Sequence, residues 1–129
     1  MAAVGHMAEA WNTGNVDALD EVYAPDFVTH YTAPNPDIEG LEAYKKHVRD
    51  TLSRFPDVQL TMHEYILDGN MGATTWTWRG TQKDTGKQVT MTGCVVSRIG
   101  ADGKIAEEWE WADWLGMFQQ LGFKLVPPK

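Results

Sequence analysis

Cysteine is almost absent from this 129-residue chain, which has only Cys94 and therefore no internal disulfide. A fold without disulfides does not need an oxidising compartment. The chain also lacks a run of 18 apolar residues and a signal-like segment of charged, apolar and small residues. A cytoplasmic protein is the default expectation. Cys94 lies in a strand-like pattern, where we expect a small core side chain rather than a nucleophile.

Basic residues are also few, since 11 Lys and Arg stand against 18 Asp and Glu, for a net charge of −7. The densest basic cluster is the pair Lys45-Lys46. Nucleic acid and anionic membrane surfaces both attract a basic face, so we expect neither as a partner. The four histidines are scattered without the spacing of a metal-binding motif. No metal site is expected.

What the chain does contain is the composition of one folded domain, residues 1–129. Apolar residues make up 43% and charged residues 22%, which is ordinary for a globular protein and excludes a disordered chain. A chain of this length can bury a substantial core. Five of the six tryptophans are concentrated in two segments, 76–78 and 109–114.

The first half of the sequence predicts three helices. Apolar residues recur with helical spacing over 4–11, and a second helix over 16–23 ends before Pro25. A β-rich run over 27–31 leads into a loop over 32–37, where two prolines forbid regular structure. The third helix, over 41–55, carries a continuous apolar stripe and ends at a proline.

The second half changes to the period of two that is typical of strands. Gly-containing hairpin turns divide it into strands at about 57–67, 72–82, 88–99 and 104–113, and a short helix follows over 114–121. Short turns make neighbouring strands antiparallel. Helices followed by a long antiparallel meander predict an α+β fold, a cone-shaped curved sheet with the helices on its concave side. The mouth of such a cone is a natural site for a small hydrophobic molecule.

Several segments together resemble the SnoaL-like polyketide cyclases of the nuclear-transport-factor-two-like superfamily, over residues 5–122. The resemblance rests on His30, Phe55-Pro56-Asp57, Gly80-Thr81, the Trp109-x-x-x-Asp113 spacing and Gln120-Leu121-Gly122. It implies a cone-shaped fold, a homodimer packed through the sheets, and no metal or organic cofactor. It also implies an intramolecular aldol condensation with an aspartate at the Asp113 position as acid and base. Gln82 departs from the pattern, because many relatives carry a histidine there.

Asp113 is the leading candidate for catalysis. Strand alternation places it on one face with Glu107, Trp109 and Trp111, while small and acidic residues occupy the other face. We expect the aromatic face to line the pocket, where desolvation would raise the pKa of Asp113 and suit it to act as a general base. The alternative is structural, because Asp113 directly precedes the last helix and aspartate is a preferred N-cap residue.

Three other polar residues each allow two interpretations. His30 is either a hydrogen-bonding or proton-relay group at the pocket or is bonded to a nearby loop carbonyl. Glu107 is either a second pocket acid or is paired with a basic residue near the sheet edge. Arg98 either orients a carbonyl or enolate oxygen or pairs with an acid on the neighbouring strand. Trp109, Tyr31 and Trp78 are the further residues expected to contact a ligand.

Three functions remain open from the sequence. The first is a cofactor-independent acid/base enzyme that acts on a hydrophobic carbonyl compound, with aldol cyclisation as its sharpest form. The second is epoxide hydrolysis or isomerisation in the same cone, which would recruit Arg98, Glu107 or Tyr31 beside the aspartate. The third is a non-catalytic ligand-binding or dimerisation domain. An open pocket that holds a buried Asp113 would favour an enzyme, whereas a surface Asp113 that caps a helix would favour the third function.

Overall fold

The computed structural model describes residues 2–31 and 35–128, and their side chains from residue 5 onward. The elements of the first half are α1 (Ala2–Thr13), a 3-10 helix (Val16–Glu21), β1 (Tyr23–Tyr31), β2 (Ile38–Glu39) and α2 (Leu41–Arg54). Those of the second half are β3 (Gln59–Asp68), β4 (Met71–Thr81), β5 (Gln88–Ile99), β6 (Ile105–Ala112) and α3 (Trp114–Gln120). None of the helices described is long and apolar enough to cross a membrane.

Predicted and observed elements differ mainly before residue 32. The second predicted helix is a 3-10 helix that ends at Glu21, because β1 begins at Tyr23 and pairs there with Ile105 of β6. Pro25 therefore lies inside β1, in a stretch where the pairing register with β6 shifts. Such an irregularity tolerates proline, which cannot donate to a regular ladder. Residues 32–34 of the predicted proline loop lie outside the described residues.

The six strands form one sheet in the order β2-β1-β6-β5-β4-β3. The predicted meander of β3 to β6 is confirmed, with each consecutive pair antiparallel. The prediction of a wholly antiparallel sheet is wrong, because β1 pairs with β6 in parallel. Helix α2 and four strands separate β1 from β6 in sequence, and so long a connection permits a parallel pair that a hairpin forbids. The α+β class is confirmed with a curved, mixed sheet.

Two groups of buried apolar side chains make up the core. One joins α1, the 3-10 helix, β1 and α2, and the other joins strands β3 to β5 and the residues that follow α2. Trp11, Leu52 and Met62 are partly buried and contact both groups. The space between the two groups, under the helices and above the sheet, is where the cavity lies.

Helix α3 is fixed against β5 by side-chain hydrogen bonds to the backbone. The Gln120 side chain accepts from the Thr90 N–H (2.8 Å) and donates to the Thr90 carbonyl (2.9 Å), as a neighbouring strand would. The Lys87 ammonium donates to the Leu121 carbonyl at 3.1 Å, which satisfies an end of the helix. These contacts hold α3 in the wall of the cavity.

Candidate functional site

A cavity of about 750 Å³ lies between the helices and the inner face of the sheet. Its wall is largely aromatic and aliphatic, and every major element contributes to it. Residues of this wall include Trp11, Tyr23, Tyr31, Tyr44, His47, Trp76, Trp78, Glu108, Glu110 and Trp114. Among the described residues, no three His, Cys, Asp or Glu side chains are grouped as metal ligands. Five further charged residues line the cavity and are exposed, namely Asp37, Glu39, Lys46, Asp50 and Arg54. Two carboxyl groups differ from these, because Glu108 is buried and Glu110 is half-buried.

Glu108 is the deeper of these two carboxyl groups, with no exposed surface. The Tyr23 hydroxyl donates to its carboxylate, at 3.2 Å from Oε1 and 3.1 Å from Oε2. Burial raises the pKa of Glu108 to about 7, against the opposing effect of the hydrogen bond from Tyr23 and of the nearby Thr29 hydroxyl. Glu108 is therefore close to half-protonated at neutral pH.

Glu110 lies two residues further along β6, on the same face as Glu108 and half-buried in the cavity wall. The Trp76 indole donates to its Oε2 atom at 3.2 Å. Burial raises the pKa of Glu110 well above its usual value, and the charge of Glu108 raises it further. Glu110 thus offers the cavity a carboxyl group that holds its proton more tightly than an ordinary glutamate and is a stronger base once it ionises.

Neutral hydrogen-bonding groups surround the two acids. Burial raises the pKa of Tyr31 and of Tyr44 above the usual tyrosine value, so both hydroxyls stay protonated. Burial lowers the pKa of His47, with a smaller effect from the charge of Arg54, so its imidazole is neutral at pH 7. The His47 ring lies 5.8 Å from that of Tyr31 and 6.0 Å from that of Tyr44, measured between centroids. These groups can donate to a ligand oxygen without bringing a positive charge.

The structure reverses the expected faces of β6. Tyr31 and Trp78 line the cavity as predicted, but Glu107, Trp109 and Asp113 are not among its lining residues. The alternation of side chains along β6 correctly predicted which of its residues share a face. The assumption that the aromatic face points inward was wrong, because Tyr23 and Trp76 provide hydrogen bonds that let carboxyl groups occupy the inner face.

Asp113 is exposed at the N-terminus of α3, beside Trp111 on the outer face of the sheet. Its carboxylate accepts the Gly116 N–H at 2.9 Å, the hydrogen bond of an N-cap. The contacts of Asp113 therefore show the role of a helix N-cap, which was the alternative to catalysis. A catalytic role for Asp113 stays a prediction.

His30, Arg98, Glu107 and Trp109 come together on the outer face. His30 lies 2.6 Å from Glu107 through Nε2 and 2.8 Å from Asp37 through Nδ1, and its ring stacks on Trp109 at 5.7 Å. Arg98 donates to the other Glu107 oxygen at 2.5 Å. Arg98 and Glu107 thus form the ion pair between neighbouring strands that was one of the two interpretations of each. His30 bonds a loop carboxylate rather than a loop carbonyl.

Strand alternation placed Glu108 and Glu110 on an acidic face of β6, but the sequence did not lead us to propose them as site residues, although a signal was present. Glu108 and Glu110 alternate with tryptophans, so one face of β6 must carry two acids without an intervening base. Tyr44 belongs to the apolar stripe of α2, and His47 lies three residues on, near the same face of the helix. A polar residue next to an inward stripe is a candidate for a cavity wall.

Structural comparison first defines the class of protein. A protein from Catenulispora acidiphila with a ketosteroid isomerase-like fold is similar to this chain with a TM-score of 0.83 over 97% of each chain. Its sequence is only 18% identical, so this likeness shows the fold alone. The curved sheet, the helices laid on it and the cavity between them are those of the ketosteroid isomerase-like, or nuclear-transport-factor-two-like, fold.

Sequence comparison then gives the family. Residues 2–121 match the model of the SnoaL-like polyketide cyclases, and the chain belongs to that family. IdmH, a candidate polyketide cyclase from Streptomyces antibioticus, is 30% identical over 94% of this chain and 96% of its own, with a TM-score of 0.78. A candidate polyketide cyclase from Acidithiobacillus ferrooxidans is 29% identical over 94% of both chains, with a TM-score of 0.79. None of the curated proteins compared with the chain matches it.

Proposed function

We propose that this protein is an acid/base enzyme that acts on a small hydrophobic carbonyl compound, without a metal or organic cofactor, and that Glu110 is its acid/base. The observation that supports this most is the pair of carboxyl groups, Glu108 and Glu110, in the wall of an apolar cavity. Titratable groups with strongly shifted pKa values are concentrated at functional sites. Membership of the SnoaL-like family favours a cyclase reaction.

The sharpest form of the proposal is an intramolecular aldol condensation. Ionised Glu110 removes a proton from a carbon between two carbonyl groups, and the resulting enolate carbon attacks a second carbonyl of the same molecule. A carbon–carbon bond forms, and Glu110 returns its proton to the new alkoxide. The Tyr44 hydroxyl and the neutral His47 imidazole can donate hydrogen bonds to the enolate oxygen. One positioned acid/base contributes roughly 10²–10⁴-fold to the rate.

The cavity wall also suits the geometric requirement of ring closure. A flexible chain must be held folded, and confinement between rigid walls reduces the entropy that it loses in the reaction. The rings of Trp11, Trp76, Trp78 and Trp114 provide flat apolar surfaces for a planar or polycyclic substrate. Carbonyl oxygens of such a substrate would face the tyrosine hydroxyls.

The test is a screen of aromatic polyketide and enone substrates with three proteins: wild type, Glu110→Gln and Asp113→Asn. Both variants keep the shape of the side chain, and asparagine preserves an N-cap acceptor. We expect Glu110→Gln to lose roughly 10²–10⁴-fold in kcat and Asp113→Asn to remain near wild type. The opposite result would return the acid/base role to Asp113. Ligand binding without turnover by wild type would favour the non-catalytic alternative.

The epoxide hydrolase-like alternative loses two of its proposed participants. Arg98 and Glu107 pair with each other on the outer face, away from the cavity. Only Tyr31 of that set lines the cavity, beside the two inner carboxyl groups. Release of diol from an epoxide probe by wild type, but not by Glu110→Gln, would overturn the cyclase proposal in favour of this one.

We also propose that a second copy of this chain covers the outer face of the sheet. Trp111 is 49% exposed there, beside Thr92 and Cys94, and an exposed indole at the centre of a sheet favours association. Light scattering should give the mass of two chains, and Trp111→Glu should shift it towards one. Leu125→Glu, a change in the exposed C-terminal tail, is the matched control. A single-chain mass for wild type at micromolar concentration would contradict the proposal.

A further inference from the structure

Glu108 lies in a transverse row of polar residues at the deep end of the cavity. Its register partner on β1 is Thr29 and its register partner on β5 is Ser97. All three side chains have no exposed surface. A row of polar side chains across three central strands, on the inner face of the sheet, is unusual because burial of each polar group requires a compensating hydrogen bond.

Hydroxyl groups complete the surroundings of this row. Gly72 is the register partner of Ser97 on β4, and a Cβ atom there would collide with the Tyr65 hydroxyl, which occupies that space. Burial raises the pKa of Tyr65, and the nearby Ser97 hydroxyl opposes that rise. Within the described residues, the hydroxyls of Thr29, Ser97 and Tyr65 have no hydrogen-bond partner of standard geometry. Glu108 is thus surrounded by groups that can donate to a carboxylate.

Glu110 has a poorer set of donors. Its register partners are Tyr31 on β1 and Val95 on β5, and its hydrogen bond comes from Trp76 on β4. The titratable groups nearest the two acids are Tyr23 and Tyr31 from β1, Tyr44 and His47 from α2, and Tyr65 from β3. The charged residues Asp37, Glu39, Lys46, Asp50 and Arg54 line the same cavity and are exposed. In the described part of the chain, no Lys or Arg forms an ion pair with either acid.

We propose that Glu108 is a positioning residue that shares one proton with Glu110 and takes the negative charge first, which holds the proton on Glu110 more tightly and makes Glu110 the stronger base towards a ligand once it ionises. The physical reason is repulsion between two carboxylates on the same face of a strand in a low-dielectric site, where both cannot ionise together. The negative charge is more stable on the carboxyl group that has more hydrogen-bond donors around it, which is Glu108. The catalytic consequence rests on the proposed function, but the shared proton does not.

Titration of the carboxyl carbons by NMR tests the shared proton without a substrate. In protein with ¹³C-labelled glutamate side chains, Glu108→Gln and Glu110→Gln assign the two signals by their loss. We expect Glu108→Gln to move the titration of Glu110 to lower pH, because it removes the nearby like charge. Glu107→Gln, a change at the adjacent residue on the outer face, should leave the Glu110 titration in place. An unchanged Glu110 titration in Glu108→Gln would overturn the proposal.

A milder variant covers the case in which Glu108→Gln does not fold. Tyr23→Phe removes the donor to Glu108 but keeps the ring, so the titration of Glu108 should move to higher pH. If Glu108 titrates in Tyr23→Phe as it does in wild type, hydrogen-bond donors do not determine which of the two acids is ionised, and the proposal fails.

The two proposals can fail separately. With a substrate in hand, the acidic limb of the kcat/KM profile should move to lower pH in Glu108→Gln, which a merely structural role would not produce. A shifted Glu110 titration together with full turnover by Glu110→Gln would sink the enzymatic role of Glu110 and leave the shared proton standing. Loss of turnover in Glu110→Gln, with an unshifted titration in Glu108→Gln, would do the reverse.

Discussion

Glu107 and Glu108 are consecutive residues of β6 whose side chains lie on opposite faces of the sheet, in opposite electrostatic surroundings. Arg98, then His30, lowers the pKa of Glu107 by hydrogen bonding, and that carboxylate stays charged. Burial raises the pKa of Glu108 to about 7, and the group that donates a hydrogen bond to it is the neutral Tyr23 hydroxyl. Glutamate therefore carries a permanent negative charge on the outer face, at Glu107, and a proton that it can release near neutral pH on the inner face, at Glu108.

The difference shows which group of charged residues lowers the stability of the folded state. The outer cluster of His30, Asp37, Arg98 and Glu107 balances acid with base. Among the residues that the structure describes, no Lys or Arg pairs with Glu108 or Glu110, and burial of such groups destabilises the fold when they ionise. Ionisable groups with shifted pKa values are concentrated at functional sites, which supports the role proposed for this pair.

The largest expected effect is on the pH dependence of stability. The folded state holds the Glu108 proton up to a pKa of about 7, against a usual value of 4.5. Wild type should therefore lose stability as pH rises through this window, because the unfolded chain releases that proton earlier. Glu108→Gln lacks this loss, so its free energy of unfolding relative to wild type should rise by up to about 3 kcal/mol between pH 4.5 and pH 7.

Urea unfolding of wild type and Glu108→Gln across that pH range measures the effect. Glu107→Gln is the matched control from the other face and should not show a gain that grows towards pH 7. If the free energies of unfolding of wild type and Glu108→Gln change in parallel from pH 4.5 to pH 7, then Glu108 does not have a raised pKa in the folded protein.

A smaller effect is expected at Asp113, where the outer face meets α3. Asp113→Ala removes the hydrogen bond to the Gly116 N–H and should lower the free energy of unfolding by about 1 kcal/mol. Asp113→Asn should recover most of that loss, because an amide oxygen also caps a helix. Chemical denaturation of both variants gives the comparison. Equal stability of Asp113→Ala and wild type would refute the capping role.

The smallest effect is expected at Glu107. Its pKa is lowered from 4.5 and that of His30 is raised from 6.5, so the pair stabilises the fold most between those two values. Below that window Glu107 takes up a proton, and above it His30 loses one. Glu107→Gln should destabilise the protein only slightly there, because exposed ion pairs contribute little. The His30 ring signal in NMR should titrate at lower pH in this variant, and an unmoved His30 would rule out the pairing.

Much of the fold follows from local patterns. The apolar stripe over 41–55, the shift to a period of two after residue 57 and the Gly-containing turns predicted α2 and the strands β3 to β6 closely. The parallel pairing of β1 with β6 could not be predicted in this way, because it joins residues about eighty positions apart. Local patterns carry no information about which distant strand becomes a neighbour.

By itself the sequence determined which residues of β6 share a face, since alternation is built into an extended backbone. It also determined the family and the α+β class, through motifs and through the order of helices and strands. Only the tertiary structure decided which face of β6 is the inner one. That choice depends on the direction in which the sheet curves and on donors from β1 and β4, Tyr23 and Trp76, which reach the carboxyl groups only after folding.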